Sequence, residues 1–151
     1  MRAVFQRVKS AFVEADGIRA GEIGEGAVLF LGIEPQDGIA QVEKMAAKVA
    51  ELRVFTDEQN KMNRSVVDVG GGVLIIPNFT LCASCMHGRR PDFMGAARPE
   101  LARPLFDAFV QSAGRMGIPL VQSGVFGADM RVMVENDGPV TLLLNTADWK
   151  C

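Results

Sequence analysis

Asn136-Asp137-Gly138-Pro139-Val140-Thr141 sets a Gly-Pro pair between two runs that read as strands. Arg131 to Glu135 alternates, with Val132 and Val134 against Arg131 and Glu135, and Val140 to Leu144 is almost continuously apolar. Proline brings no N–H to a ladder and biases Gly138 to an extended or turn conformation. The pair therefore either turns the chain as an ordinary hairpin or displays bare backbone at a sheet end, where it is a candidate recognition surface.

Working outward, Arg2 to Lys9 opens as a strand, and Ser10 to Ala15 continues it to Asp16-Gly17, a pair that tight hairpins favour, from which Ile18 to Ile23 returns. Ala27 to Ile33 is apolar at nearly every position, the pattern of a strand buried on both faces, and Pro35 ends it. From Gln36 to Leu52 the residues Ile39, Val42, Met45, Ala46, Val49 and Leu52 recur at three and four. That spacing predicts an amphipathic helix, capped by Asp37 and packed on the sheet by its Ile39 to Leu52 stripe. Gly70-Gly71-Gly72 leads into a second buried strand, Val73 to Ile76; with no Lys-Ser/Thr behind the glycines they read as a strand entry, not a phosphate loop. Leu101, Leu105, Ala108, Phe109, Ser112, Ala113 and Met116 carry a second helix, whose first turn suits either Pro99 or Pro104. Pro119 to Val125 and Arg131 to Leu144 add the closing strands. The expectation is one α+β domain over residues 1–151, a predominantly antiparallel sheet with two amphipathic helices.

At 48% hydrophobic and 23% charged residues the chain has an ordinary globular composition. Its longest apolar runs, Ala27 to Ile33 and Val73 to Pro77, fall far short of a membrane span, and the first residues lack a signal-peptide pattern, so a cytoplasmic protein is expected. A net charge of −2 argues against non-specific binding of nucleic acid by charge alone. It leaves room for a local patch, and His87-Gly88-Arg89-Arg90, Arg98 and Arg103 crowd one central stretch that reads as loop.

Side-chain catalysts are scarce. Cys82-Ala83-Ser84-Cys85 is a C-x-x-C followed by the only histidine, His87. A redox dithiol normally opens a helix, whereas this one leaves an apolar strand, and a closed zinc site needs a fourth ligand from Cys151 or a second subunit. The cysteines are read as structural or incidental, and no metal or other cofactor is expected. There is no tyrosine, and Ser/His/Asp chemistry would rest on a histidine in an arginine-rich loop. An enzyme of this composition would work by backbone dipoles, positioning and the substrate's own groups.

Several segments, taken in order, resemble the D-aminoacyl-tRNA deacylases: Val4-Phe5-Gln6-Arg7-Val8, Gly21-Glu22-Ile23-Gly24, Leu52-Arg53-Val54-Phe55, Lys61-Met62-Asn63, Phe79-Thr80-Leu81, Gly88-Arg89-Arg90-Pro91, Phe126-Gly127-Ala128-Asp129-Met130 and Asn136 to Thr141. Each is short; their order and spacing span nearly the whole chain. The resemblance implies a barrel-like sheet and a homodimer in which the Gly-Pro of one subunit, with a cis peptide bond, enters the other's pocket. There its carbonyls exclude the side chain of an L-amino acid and admit a D-amino acid or glycine, including glycine mischarged on tRNA-Ala. The partner is the 3′ end of aminoacyl-tRNA, whose ester is hydrolysed with help from the vicinal 2′-OH of the terminal adenosine.

Carried onto this chain, the resemblance implies catalytic roles for Phe79, Thr80, Gly138 and Pro139, and substrate contacts for Gln6, Arg7, Pro77, Asn78, Phe126, Gly127, Ala128 and Met130. Thr80 is expected to position substrate rather than attack it, since nothing nearby in sequence would deprotonate it. Gly138→Ala is expected to spare folding and cut activity. One departure concerns Pro77-Asn78, where the family usually has Ser-Gln. A sister group first described in animals carries Pro there, and is associated with a trans Gly-Pro bond and removal of small L-amino acids such as alanine from tRNA-Thr. Phe79, where that group has a smaller residue, points back to the D-specific type. A catalytically silent RNA-binding relative, and a metal or redox module built on Cys82 and Cys85, are the other readings.

Overall fold

A computed structural model describes residues 1–150. The 14-residue strand β1 (Arg2–Ala15) turns through Asp16 and Gly17, both at positive φ as a type I′ hairpin requires, into β2 (Ile18–Ile23). β3 (Gly26–Gly32) follows, then α1 (Ile39–Glu51), a small hairpin of β4 (Phe55–Thr56) and β5 (Met62–Arg64), and β6 (Gly72–Pro77). The 3-10 turn Phe79–Cys82 leads through a long loop to α2 (Pro99–Arg115), β7 (Leu120–Ser123) and β8 (Met130–Asn145).

The main sheet runs β2-β1-β3-β6-β7, with β8 also paired to β1. The pairs made by β1 with β2, β3 and β8 are antiparallel, whereas β3-β6 and β6-β7 are parallel. The sheet is thus mixed, with helices supplying the crossovers that parallel neighbours require. It curls until β2 meets β7: a Cβ placed on Gly21 would sit 3.2 Å from the Ser123 carbonyl oxygen. This nearly closed barrel explains the continuous apolar runs. Ala27, Leu29, Leu31, Val73 and Ile75 face the core under the helices, while Val28, Leu74 and Ile76 fill a second core inside the curl with Val8, Ala11, Val13 and Ile23. The glycine run serves close strand approach: a Cβ on Gly26 would lie 1.9 Å from the Gly72 carbonyl oxygen.

The helices depart from the sequence expectation at their starts. Gly38, not Asp37, is the N-cap of α1, its N–H donating to the Gln41 side chain at 2.9 Å. Asp37 is buried instead, accepting from the Met1 ammonium at 2.6 Å and the Glu34 N–H at 2.7 Å. Ile39 is 58% exposed, so the packed stripe begins at Val42. Pro99 opens α2 and Pro104 lies inside it, where its missing N–H removes one intrahelical bond.

The Gly-Pro pair does not reverse the chain. Both apolar runs belong to one 16-residue strand, β8, broken by a wide bulge: Gln6 pairs with Thr141 and Val8 with Asn136, so Arg7 alone stands opposite Asp137 to Val140.

Candidate functional site

β3, β6 and β7 run parallel and end at the same side. A cavity of about 380 Å³ lies there. Leu31 and Ile33 from β3, Pro77, Asn78 and Phe79 from the end of β6, and Phe126 and Gly127 from beyond β7 form its wall. Phe93, Ala96 and Ala97 of the long loop and Pro99, Ala102 and Phe106 of α2 close it. None of these is ionisable. Phe79 is 58% exposed and meets Phe93 edge-on, ring centres 5.3 Å apart. Phe126 lies between Phe106, 6.1 Å away, and the Arg103 guanidinium, 5.0 Å from its ring centre.

Thr80 is exposed beside this wall, and its hydroxyl donates to the Asn78 side-chain oxygen. An amide oxygen cannot take up the proton, so that contact orients Thr80 without activating it as a nucleophile. Ala128 closes the turn after β7 by donating to the Val125 carbonyl at 3.2 Å, and Met130 opens β8 against the second core. Pro77, Asn78, Phe79, Phe126 and Gly127 thus gather at the cavity, with Thr80 at its rim.

Gln6, Arg7, Gly138 and Pro139 form a separate cluster. Leu31 pairs with Ala3 whereas Ala27 pairs with Arg7, so the bulge stands roughly 13 Å from the cavity along β1. Gly138 has φ +134° and its bond to Pro139 is cis. Arg7 fills the gap in the ladder, donating from Nε to the Asp137 carbonyl at 3.2 Å and from Nη1 to the Val54 carbonyl at 2.7 Å. The Asn136 side-chain amide donates to the carbonyls of Arg7 and Val140, at 3.3 and 3.1 Å, tying the two sides of the bulge together. Gln6 reaches Thr141 at 3.2 Å. Both Gly138 and Pro139 are exposed.

A Cβ on Gly138 would lie 2.9 Å from the Val140 backbone nitrogen and 3.2 Å from Arg7 Nη2. The glycine is therefore needed by its own chain, which corrects the expectation that alanine there would spare the fold. Asn136, missed in the sequence, is the residue that braces this bulge; its place two residues before the Gly-Pro was the available signal.

The C-x-x-C is split by burial, Cys82 inside and Cys85 outside. Cys82 Sγ donates to the Ile33 carbonyl at 3.6 Å, and burial, with the Glu34 carboxylate, pushes its thiol above the ordinary range, the opposite of a reactive thiolate. Among the described residues no three His, Cys, Asp or Glu side chains gather as metal ligands. Cys151 lies outside the described residues.

Comparison with known proteins bears on this geometry. The model of the family described as D-Tyr-tRNA(Tyr) deacylase matches residues 4–145. A D-aminoacyl-tRNA deacylase of Opitutus terrae is 52% identical over 97% of each chain, and that of Thermus aquaticus 49% identical over 98% of this chain and 97% of its own. Among solved structures, a c-Myc DNA unwinding element binding protein superposes with a TM-score of 0.91 at 38% identity, covering 97% of this chain and 99% of its own. A probable eukaryotic D-amino acid tRNA deacylase shares the fold, with a TM-score of 0.82 at 15% identity over 95% of this chain and 97% of its own. With the family matched across most of the sheet and both helices, and relatives about half identical end to end, the chain belongs to the D-Tyr-tRNA(Tyr) deacylase family and is an enzyme, an aminoacyl-tRNA deacylase.

Proposed function

We propose that the cavity holds the 3′-terminal aminoacyl-adenosine of D-aminoacyl-tRNA and of glycyl-tRNA mischarged on tRNA-Ala, and that the Gly138-Pro139 backbone of a second copy enters it to reject L side chains. The observation that carries this reading is the cavity's wall, which offers no acid, base or nucleophile. Water adds to the ester carbonyl, the bond to the 3′ oxygen breaks, and that oxygen regains a proton as the amino acid leaves. With no side chain to manage these protons, the vicinal 2′-OH of the substrate assists, while Thr80 and Asn78 hold the ester in place. Phe79 gives the terminal adenine an aromatic face.

Distance supports the assembly. A backbone filter standing roughly 13 Å away along its own β1 cannot line its own cavity, so a two-fold dimer supplies it in trans. Arg7 and Asn136 hold the carbonyls of Asp137 and Val140 on either side of the filter and so fix its backbone, and rejection by fixed backbone is steric exclusion rather than added affinity. The protein acts as one domain in the cytoplasm, where charged tRNA is made. Pro77 supports a second reading, a relaxed enzyme that also removes L-alanine from tRNA-Thr, because this departure lies in the cavity wall itself.

Initial rates on D-Tyr-tRNA, Gly-tRNA and L-Ala-tRNA-Thr separate these readings. The expected result is hydrolysis of the first two, with L-alanine removed about a hundredfold more slowly, by a protein that sediments as a dimer. L-Ala and D-Tyr removed at equal rates, or a monomer active at micromolar concentration, would overturn the filter.

A further inference from the structure

We propose that the loop Ser84–Arg98 and the first turns of α2 form the surface that grips the RNA backbone as it leaves the cavity, with Arg89, Arg90, Arg98 and Arg103 contacting phosphates. This rests on the proposed seating of the terminal aminoacyl-adenosine in the cavity and extends it from the terminal nucleotide to the strand behind it.

The arginines of this chain are not alike. Arg2, Arg7, Arg19 and Arg115 are ion-paired, and Arg53 and Arg64 donate to backbone carbonyls. Arg89, Arg90, Arg98 and Arg103 have no carboxylate partner among the described residues, and all four are exposed. Arg131 is likewise exposed and outside every ion pair among the described residues, but it stands on β8 opposite Glu14 in the ladder and not on this loop. The sequence from Ser84 to Pro104 holds two acids, Asp92 and Glu100, with Asp107 one helical turn beyond Arg103, in a chain whose net charge is −2. One Asp92 oxygen is occupied by the Met94 N–H at 2.8 Å, in a local backbone turn.

The loop is built to hold this charge out. Reciprocal backbone bonds between Ser84 and Asp92, both 2.8 Å, pin its base, and Gly88 at φ +68° turns the tip that carries His87, Arg89 and Arg90. From the same loop Phe93 lines the cavity, and Met86 and Met94 stand 83% and 84% exposed. Arg98 is the N-cap of α2, and Arg103 lies over Phe126 at the wall. Unpaired guanidinium groups contiguous with an aromatic-walled pocket fit a strand that stacks its last base and lays its phosphates outward. An acidic protein partner would use the charge but leave the continuity with the cavity unexplained.

The test measures two things on one set of proteins. Arg89→Ala/Arg90→Ala is compared with wild type and with Arg115→Ala, a charge removed at the far end of α2. Binding of an uncharged acceptor-stem RNA hairpin is followed by anisotropy against salt, and hydrolysis is followed with D-Tyr-tRNA and with D-tyrosyl-adenosine. Expected is a roughly tenfold weaker hairpin affinity and a log–log salt slope shallower by about 1.4, two single-strand contacts' worth. KM for D-Tyr-tRNA rises in parallel, kcat/KM for D-tyrosyl-adenosine stays at the parental value, and Arg115→Ala matches wild type throughout. Unchanged affinity and slope in the double variant, or an equal loss on both esters, overturns the proposal. The hairpin measurement decides this even if wild type hydrolyses neither ester, a result that would instead remove the assignment of the cavity to the terminal aminoacyl-adenosine.

Discussion

Phe79→Ala tests the cavity most cleanly, because the structure separates its effect on folding from its effect on substrate. A phenylalanine in the core, such as Phe109 with no exposed surface, costs about 3–5 kcal/mol when cut to alanine. Phe79 is 58% exposed, and its main aromatic contact is the edge-on Phe93 ring at 5.3 Å. Losing such a pair costs about 0.5–1.5 kcal/mol, so urea unfolding followed by circular dichroism should move only modestly, with an unchanged slope. Stacking of one base on an aromatic side chain is worth about 1–3 kcal/mol, hence kcat/KM for D-Tyr-tRNA should fall roughly 5- to 150-fold. A folded variant with the parental kcat/KM would refute the adenine contact, and a stability loss above about 3 kcal/mol would show that Phe79 belongs to the core.

Gly138→Ala should lose activity together with about 1–3 kcal/mol of stability, because the added Cβ meets Val140 and Arg7 of its own chain at a φ of +134°; a thermal scan at parental Tm would contradict this. At pH 8 native Cys82 should resist iodoacetamide while Cys85 reacts, since burial holds the Cys82 thiol protonated above its ordinary range. Peptide mapping that finds Cys82 labelled as fast as Cys85 would refute that.

Much of the fold was legible because local rules and tertiary structure agree. Asp16-Gly17 announced its hairpin, and the unbroken apolar runs announced strands covered on both faces. Strand direction was harder: periodicity carries no orientation, and the two parallel pairs were not foreseen, although the helices lying between β3, β6 and β7 were the available signal. The start of α1 was misread because Asp37 is drawn into burial by the Met1 ammonium, a partner 36 residues away, which outweighs its local preference for a cap. At the candidate site, Pro77, Asn78, Phe79, Phe126 and Gly127 were named from the family resemblance, and the structure brings them to one cavity. Its far wall was not, since Phe93, Ala96, Ala102 and Phe106 look like loop filler and an ordinary helix face until the strand ends are brought beneath them. Nor could sequence place the Gly-Pro cluster apart from that cavity, because the separation is set by the register of β1.

The bulge in β8 has a second consequence, for solubility. Among the described residues this strand pairs only with β1, so its other side is a free edge 16 residues long with Met133 and Leu143 exposed along it, a shape on which foreign strands can grow into aggregates. Asp137 to Val140 cut that edge into two short pieces offset from one another, and Pro139 withholds an N–H where a continuous template would need one. The four residues that disrupt the ladder therefore also protect the chain from adding indiscriminate strands, and a substitution that straightened them would expose a long adhesive border in place of a sheltered one.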